Sequence, residues 1–144
     1  MSDRLPRLVI DTNVFVSGLI SDSGSPARVL DAIRQKRAVH VVSDPIVEEY
    51  LRVLDYPRIR KFEKITDEFI TTVAAYLIYR TQRVELGAII PVSRDPDDDV
   101  FLQTAVDGKA TFLISGDKVD LLSLGEVQGI PIVTASEALV RMEL

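Results

Sequence analysis

Three consecutive branched apolar residues, Leu8, Val9 and Ile10, stop at a carboxylate, Asp11, with the small polar residues Thr12 and Asn13 behind it. A strand that is apolar on both faces needs cover on both, as happens inside a parallel sheet flanked by helices. Such a strand belongs at the centre of its sheet. In open α/β sheets ligands collect at the carboxyl ends of the strands, so Asp11 stands where chemistry is usually done. Asp after a strand is also a common helix cap or turn former. A functional reading of Asp11 therefore depends on other acids reaching the same edge.

The remaining sequence alternates helix and strand signals. Ser25-Pro26 reads as a cap followed by a proline in the first helical position, opening a helix to residue 37 with Val29, Leu30 and Ile33 on one face. Residues 38–42 read as a strand. Asp44-Pro45 repeats the cap-plus-proline device before a helix striped by Ile46, Val47, Tyr50, Leu51 and Leu54, which residues 55–57 end. Thr66 caps a third helix that runs to about residue 80, with Asp67 and Glu68 where the helix dipole favours them. Residues 88–92 read as a short strand at the sheet edge or at a strand end, because Pro91 lies within it. Asp95-Pro96 opens a helix through residue 106, and residues 111–114 form a buried strand running into Ser115-Gly116-Asp117. A last strand spans residues 130–133, and Thr134 with Glu137 reads as a capping box for a terminal helix ending at residue 142. His40, among valines, reads as core or sheet surface. This order predicts a single domain over residues 1–144, an α/β protein folded as a three-layer α/β/α sandwich on a mostly parallel sheet.

Composition removes several classes. With 144 residues the chain buries roughly two thirds of its unfolded surface. Cysteine is absent, which excludes disulfides and thiolate metal sites. No apolar stretch is long enough to span a bilayer, so a cytoplasmic protein without membrane contact is expected. The net charge of −5 argues against nucleic-acid binding over the whole surface and leaves local binding open.

Four segments can send acids to one sheet edge. Asp11 and Asp117 each follow a buried strand, Glu48 and Glu49 lie near the start of one helix, and Asp95, Asp97, Asp98 and Asp99 fill the first turn of another. Gathered carboxylates repel unless a hard cation joins them. Mg²⁺ or Mn²⁺ favours carboxylate oxygens and supports phosphodiester hydrolysis. Asp95 and Asp97 read more simply as dipole-complementing residues. Thr12, Asn13 and Ser115 read either as turn formers or as hydrogen-bond partners of the carboxylates.

With Val9-Ile10-Asp11-Thr12-Asn13-Val14-Phe15, the helix Glu48-Glu49-Tyr50-Leu51-Arg52-Val53-Leu54, the run Arg94-Asp95-Pro96-Asp97-Asp98-Asp99-Val100-Phe101-Leu102 and Leu113-Ile114-Ser115-Gly116-Asp117-Lys118, the chain resembles a PIN domain. The likeness is to the toxin branch of toxin–antitoxin pairs, VapC-like ribonucleases. It implies a PIN-like fold and Mg²⁺- or Mn²⁺-dependent endoribonuclease activity. Asp11 and Asp117 carry over directly as catalytic, metal-holding acids. For the second acid the resemblance favours Glu49, the glutamate before Tyr50-Leu51, while helical phase leaves Glu48 and Glu49 open. For the third, Asp98 lies seven residues before Ala105, the family's usual spacing, and Asp99 is what a shift by one would select; both are carried, Asp98 ahead. Tyr50 departs from the pattern, where Leu is common. The resemblance also implies a small antitoxin as partner and a homodimer.

The expected substrate is single-stranded or looped RNA. Arg58, Arg60, Lys61 and Lys64, interleaved with Phe62, are the candidates for backbone contact and base stacking. A phosphatase of the haloacid dehalogenase type wants a second acid where Asn13 stands, and a receiver domain wants an acidic pair before its central strand; neither pattern is present. The remaining alternative is a non-catalytic, RNA- or partner-binding PIN-like protein.

Overall fold

A computed structural model describes residues 4–88, 91, 95–117 and 119–144. β1 (Arg7–Ile10) is the strand that sequence predicts, and Leu8, Val9 and Ile10 are all 0% exposed. The chain turns at Asp11 straight into α1 (Thr12–Ile20), then α2 (Ser25–Arg34) and β2 (Val39–Val42). α1 is a helix that the sequence pattern does not predict. Gly18 reads as a breaker there but has a packing reason. A Cβ on it would lie 2.7 Å from Leu30 Cδ1 and 2.8 Å from the Pro26 carbonyl oxygen, so only glycine lets α1 approach α2 this closely.

α3 (Asp44–Leu54), the single turn α4 (Pro57–Arg60) and α5 (Asp67–Tyr79) follow, leading to β3 (Gln82–Arg83). The strand expected at residues 88–92 lies largely outside the described residues; among those described, β3 lines that edge of the sheet, next to β2. α6 (Pro96–Asp107) and β4 (Phe112–Ile114) come next, then α7 (Leu121–Leu124), β5 (Glu126–Val127), β6 (Ile130–Val133) and α8 (Ala135–Arg141). β5 and β6 form a hairpin pairing Val127 with Ile130. Its two turn residues have positive φ, 45° at Gln128 and 82° at Gly129, the twist that suits a two-residue hairpin turn.

The strand order is β3-β2-β1-β4-β6-β5, parallel except for β5. α2 packs with α1 and α8, α6 lies on β1, β2 and β4, and α3 meets α1, α5 and α6. The fold is thus α/β, three layers on a mostly parallel sheet. From β1 the chain builds outward to β2 and β3, then returns to place β4 on the other side of β1. The switch point of the sheet therefore falls between β1 and β4, where open α/β sheets form their crevice.

Of the three cap-plus-proline devices, one has the drawn form: Asp95 caps α6, its Oδ1 accepting from the Asp97 amide at 3.0 Å. Gly24 occupies the N-cap of α2, and Ser25 Oγ instead meets Ser136 Oγ at 2.7 Å. Ser43 occupies the N-cap of α3 without a side-chain cap bond, its hydroxyl bonded to Thr104 Oγ1 at 2.8 Å, and Asp44 pairs with Arg83. Tertiary partners outcompete the local caps at both places. At α8, Thr134 Oγ1 accepts from the Glu137 amide at 3.1 Å, but the Glu137 carboxylate pairs with Arg141 at 2.9 Å, so half of the capping box forms. No helix among the described residues is long and apolar enough to cross a membrane.

Candidate metal centre

Asp11 caps α1 and also bonds across to the end of β4. Its Oδ1 accepts from the amides of Asn13 at 2.9 Å and Val14 at 3.3 Å, satisfying the start of α1. Its Oδ2 accepts from Ser115 Oγ at 2.5 Å across the β1–β4 boundary. At 6% exposure Asp11 feels desolvation first, which raises its pKa; these hydrogen bonds oppose the rise and the nearby Asp117 adds to it. Asn13 contributes its amide, and its side chain faces solvent.

Ser115, itself fully buried, links the two strand ends: while donating to Asp11 it accepts from the Asp117 amide at 2.9 Å. Asp117 Oδ1 then accepts from the amides of Val119 and Asp120, each at 3.1 Å, curling the loop back on itself. The curl brings Asp120 beside Asp117. Among the described residues Asp98, Asp117 and Asp120 form a group of three half-buried carboxylates, each offering an oxygen within 4.8 Å of the others.

Asp98 is the least comfortable member. Its Oδ2 is buried and has no hydrogen-bond partner. Burial, followed by the charges of Asp95, Asp117, Asp120 and Asp11, pushes its carboxyl up to about 7. An orphaned buried carboxylate oxygen among other carboxylates is the environment that a divalent cation relieves, and an all-oxygen donor set suits Mg²⁺ or Mn²⁺. The residues present fit such an ion. Asp99, the neighbouring candidate, is 4% exposed and lies outside the three-carboxylate group.

Glu49 lies on the other flank of Asp11. It is half-buried where Glu48 is exposed, it accepts a hydrogen bond from the Thr12 hydroxyl, and its other oxygen lies 3.7 Å from Arg52. Thr12 thus donates to a carboxylate. Hydrogen bonds tie Glu49 to Thr12, the residue after Asp11, and Ser115 ties Asp11 to the Asp117 amide, while Asp11 and Glu49 themselves lie outside the three-carboxylate group.

The basic stretch is only partly free. Arg60 pairs with Asp55 at 2.9 Å and Asp67 at 2.7 Å, and Lys64 pairs with Asp22 at 3.1 Å. Arg58 is exposed and lies over the Tyr56 ring, 5.6 Å from its centroid, while Lys61 and Phe62 are exposed. His40 is fully buried and held by two tyrosine hydroxyls, as a core residue.

Asp120 escaped the sequence reading. Its signal was an acid three residues after Asp117, directly before Leu121-Leu122, close enough for one turn to return it to the same edge.

Among the described residues, acids from α6 and from the loop after β4 thus meet at the switch point of a parallel sheet, around a buried carboxylate oxygen without a hydrogen-bond partner. Comparison with known proteins makes the class specific: the PIN domain profile matches residues 7–119, and the chain belongs to the PIN domain family. Members of that family are in general nucleases, and the match ends one residue short of Asp120. The chain is 34% identical over 118 residues to the uncharacterized protein MJ1680 of Methanocaldococcus jannaschii, covering 82% of this chain and 74% of that one. Its fold is similar to a chain of VapBC2 from Rickettsia felis, solved bound to a DNA fragment from their promoter. The TM-score is 0.57 at 11% identity, over 88% of this chain and 96% of that one.

Proposed function

We propose that this chain is a divalent-metal-dependent endoribonuclease, the toxin of a toxin–antitoxin pair, acting on single-stranded RNA in the cytoplasm. The observation that carries the reading is the buried, unpartnered Asp98 Oδ2 inside the Asp98–Asp117–Asp120 group. Asp98, Asp117 and Asp120 would hold Mg²⁺ or Mn²⁺ together with Asp11 and Glu49, and Asp99 stands behind Asp98. When bound, the cation supplies charge stabilisation at the scissile phosphate and acidifies water for attack.

The chain's own residues set the geometry. Ser115 fixes the Asp11 carboxylate against the Asp117 loop, and Thr12 turns Glu49 toward the same edge. The acids act mainly as ligands, and one of them takes the proton of the attacking water. Arg58 and Lys61 contact the RNA backbone beside Phe62, an exposed face for base stacking; Arg60 and Lys64 contribute less, because each already holds a carboxylate. A small antitoxin partner is supported by the likeness to a chain of the Rickettsia felis VapBC2 assembly, and a homodimer is proposed on the family resemblance.

The test is cleavage of a mixed single-stranded RNA pool with Mg²⁺, with Mn²⁺ and with chelator, for the native protein and Asp11→Asn. Cleavage that needs the ion and is lost in the variant is expected. No cleavage with either ion, or equal cleavage by both proteins, would leave the non-catalytic binding protein as the reading.

A further inference from the structure

Behind the acidic edge lies a row of buried polar groups that the chemistry above does not use. The β1–β2 ladder pairs Arg7 with Val39 and Leu8 with His40, whereas β1 pairs with β4 as far as Ile10 and Ile114. On its β2 side the Ile10 carbonyl therefore extends past the last paired rung, in a residue with no exposure. A buried carbonyl needs a donor. The donor is the Tyr50 hydroxyl, from α3. The other edge of the same peptide is held from β4, where the Asp11 amide donates to the Ile114 carbonyl at 2.9 Å.

The directions of the remaining bonds follow from that one. A carbonyl only accepts, so the Tyr50 proton is committed to Ile10. His40 Nε2, 3.2 Å from the Tyr50 oxygen, must then carry the proton and donate. His40 Nδ1 is left bare and accepts from the Tyr76 hydroxyl at 2.8 Å. Burial lowers the His40 pKa to about 3, which keeps the ring neutral and the row in one direction. The Phe15 ring stacks on Tyr50, centroids 4.1 Å apart, so α1 backs the arrangement as well.

We propose that Tyr50 is a positioning residue for the metal-binding acids: its hydroxyl clamps the Ile10–Asp11 peptide to α3, fixing the Asp11 carboxylate relative to Glu49. The inference rests on the nuclease reading for its consequence and on the hydrogen bonds alone for its geometry. Tyr50 is adjacent to Glu49 in sequence and bonded to the residue before Asp11 in space. A shift of α3 therefore moves both acids, and the clamp holds them as one unit. Groups behind the residues that touch a metal tune it because they orient those residues.

The experiment uses Tyr50→Phe, which keeps the ring and its stacking on Phe15, and Tyr76→Phe, which deletes a hydroxyl at the far end of the same row. Mn²⁺ affinity is measured by titration calorimetry with MnCl₂, cleavage is resolved into kcat and KM, and thermal unfolding is followed in parallel. Tyr50→Phe is expected to weaken Mn²⁺ binding about tenfold or more and to lower kcat with little change in KM for RNA. Tyr76→Phe leaves both near the native values. Native-like Mn²⁺ binding and kcat in Tyr50→Phe, or equal losses in Tyr76→Phe, overturn the proposal. A readout without metal separates the two hypotheses: the Asp11 amide should shift and lose hydrogen-exchange protection in Tyr50→Phe and not in Tyr76→Phe. If the native protein neither binds Mn²⁺ nor cleaves RNA, the nuclease reading fails, and an unchanged Asp11 amide in Tyr50→Phe sinks the clamp as well.

Discussion

The two clusters of buried polar groups in this protein follow opposite rules. In the Tyr76–His40–Tyr50–Ile10 row each bond meets a partner of the right kind, and the histidine stays neutral. In the Asp98–Asp117–Asp120 group the charges have one sign and one buried oxygen has no partner. The row stabilises the fold, and the acids strain it. A satisfied network rigidifies a core, whereas a buried polar atom without a partner marks strain or function.

Substitutions should therefore act in opposite directions on stability. Asp98→Asn is expected to reduce RNA cleavage about 100-fold or more, since it removes a ligand from a charge-stabilising site. The same variant should raise Tm by a few degrees in metal-free buffer at pH 8, because it removes a carboxylate that burial and four neighbouring acids oppose. A lower Tm would show that the acids do not strain the fold. His40→Ala should instead cost about 2–4 kcal/mol in urea unfolding, from the cavity, from the Tyr76 hydroxyl that loses its acceptor and from the donor that Tyr50 loses.

The pH dependence separates the clusters next. The His40 pKa is lowered from 6.5 to about 3, so the unfolded chain takes up the proton first; stability is lost as pH falls from about 6.5 toward 3. That slope is at most about 1.4 kcal/mol per pH unit and should diminish in His40→Gln. The Asp98 pKa is raised from 3.8 to about 7, so its contribution has the reverse sign: it is present at low pH and lost as pH rises through about 7. Mn²⁺ should flatten this second slope and leave the first unchanged. Thermal unfolding from pH 4 to 8, with and without Mn²⁺, reads both.

The smallest effects belong to the basic stretch. Arg58→Ala and Lys61→Ala should each raise KM for RNA about threefold at low salt, an effect that added salt erases. Arg60→Ala should change KM less, and the exposed ion pairs to Asp55 and Asp67 that it removes add little to stability because solvent screens them. Equal effects on KM would return Arg60 to the proposed RNA-contacting set.

Much of the architecture was legible because periodicity and burial coincide. Leu8, Val9 and Ile10 are apolar on both faces and become a central strand, and the apolar stripe on residues 44–54 becomes α3. α1 was missed because its apolar residues carry little helical periodicity and contain Gly18, whose reason lies in Leu30 and Pro26 across the interface. β3 and β5 have two residues each, too short for any pattern to register. In the site, Asp11 and Asp117 were readable as acids at strand ends. Asp98 was separated from Asp99 by its membership of the three-carboxylate group and its unpaired oxygen, and Asp120 joined through a backbone curl that no spacing displays.

By itself the sequence determined the alternation of strands and helices, and hence the sheet edge to which acids would be delivered. Local periodicity and chain direction are enough for that. Only the tertiary structure decided which carboxylates converge, which of them lacks a partner, and that Tyr50 reaches back to hold Ile10. Those outcomes depend on distances between residues as many as 40 positions apart in the Tyr50–Ile10 bond and 104 apart in the Ser115–Asp11 bond. Only packing brings such residues together.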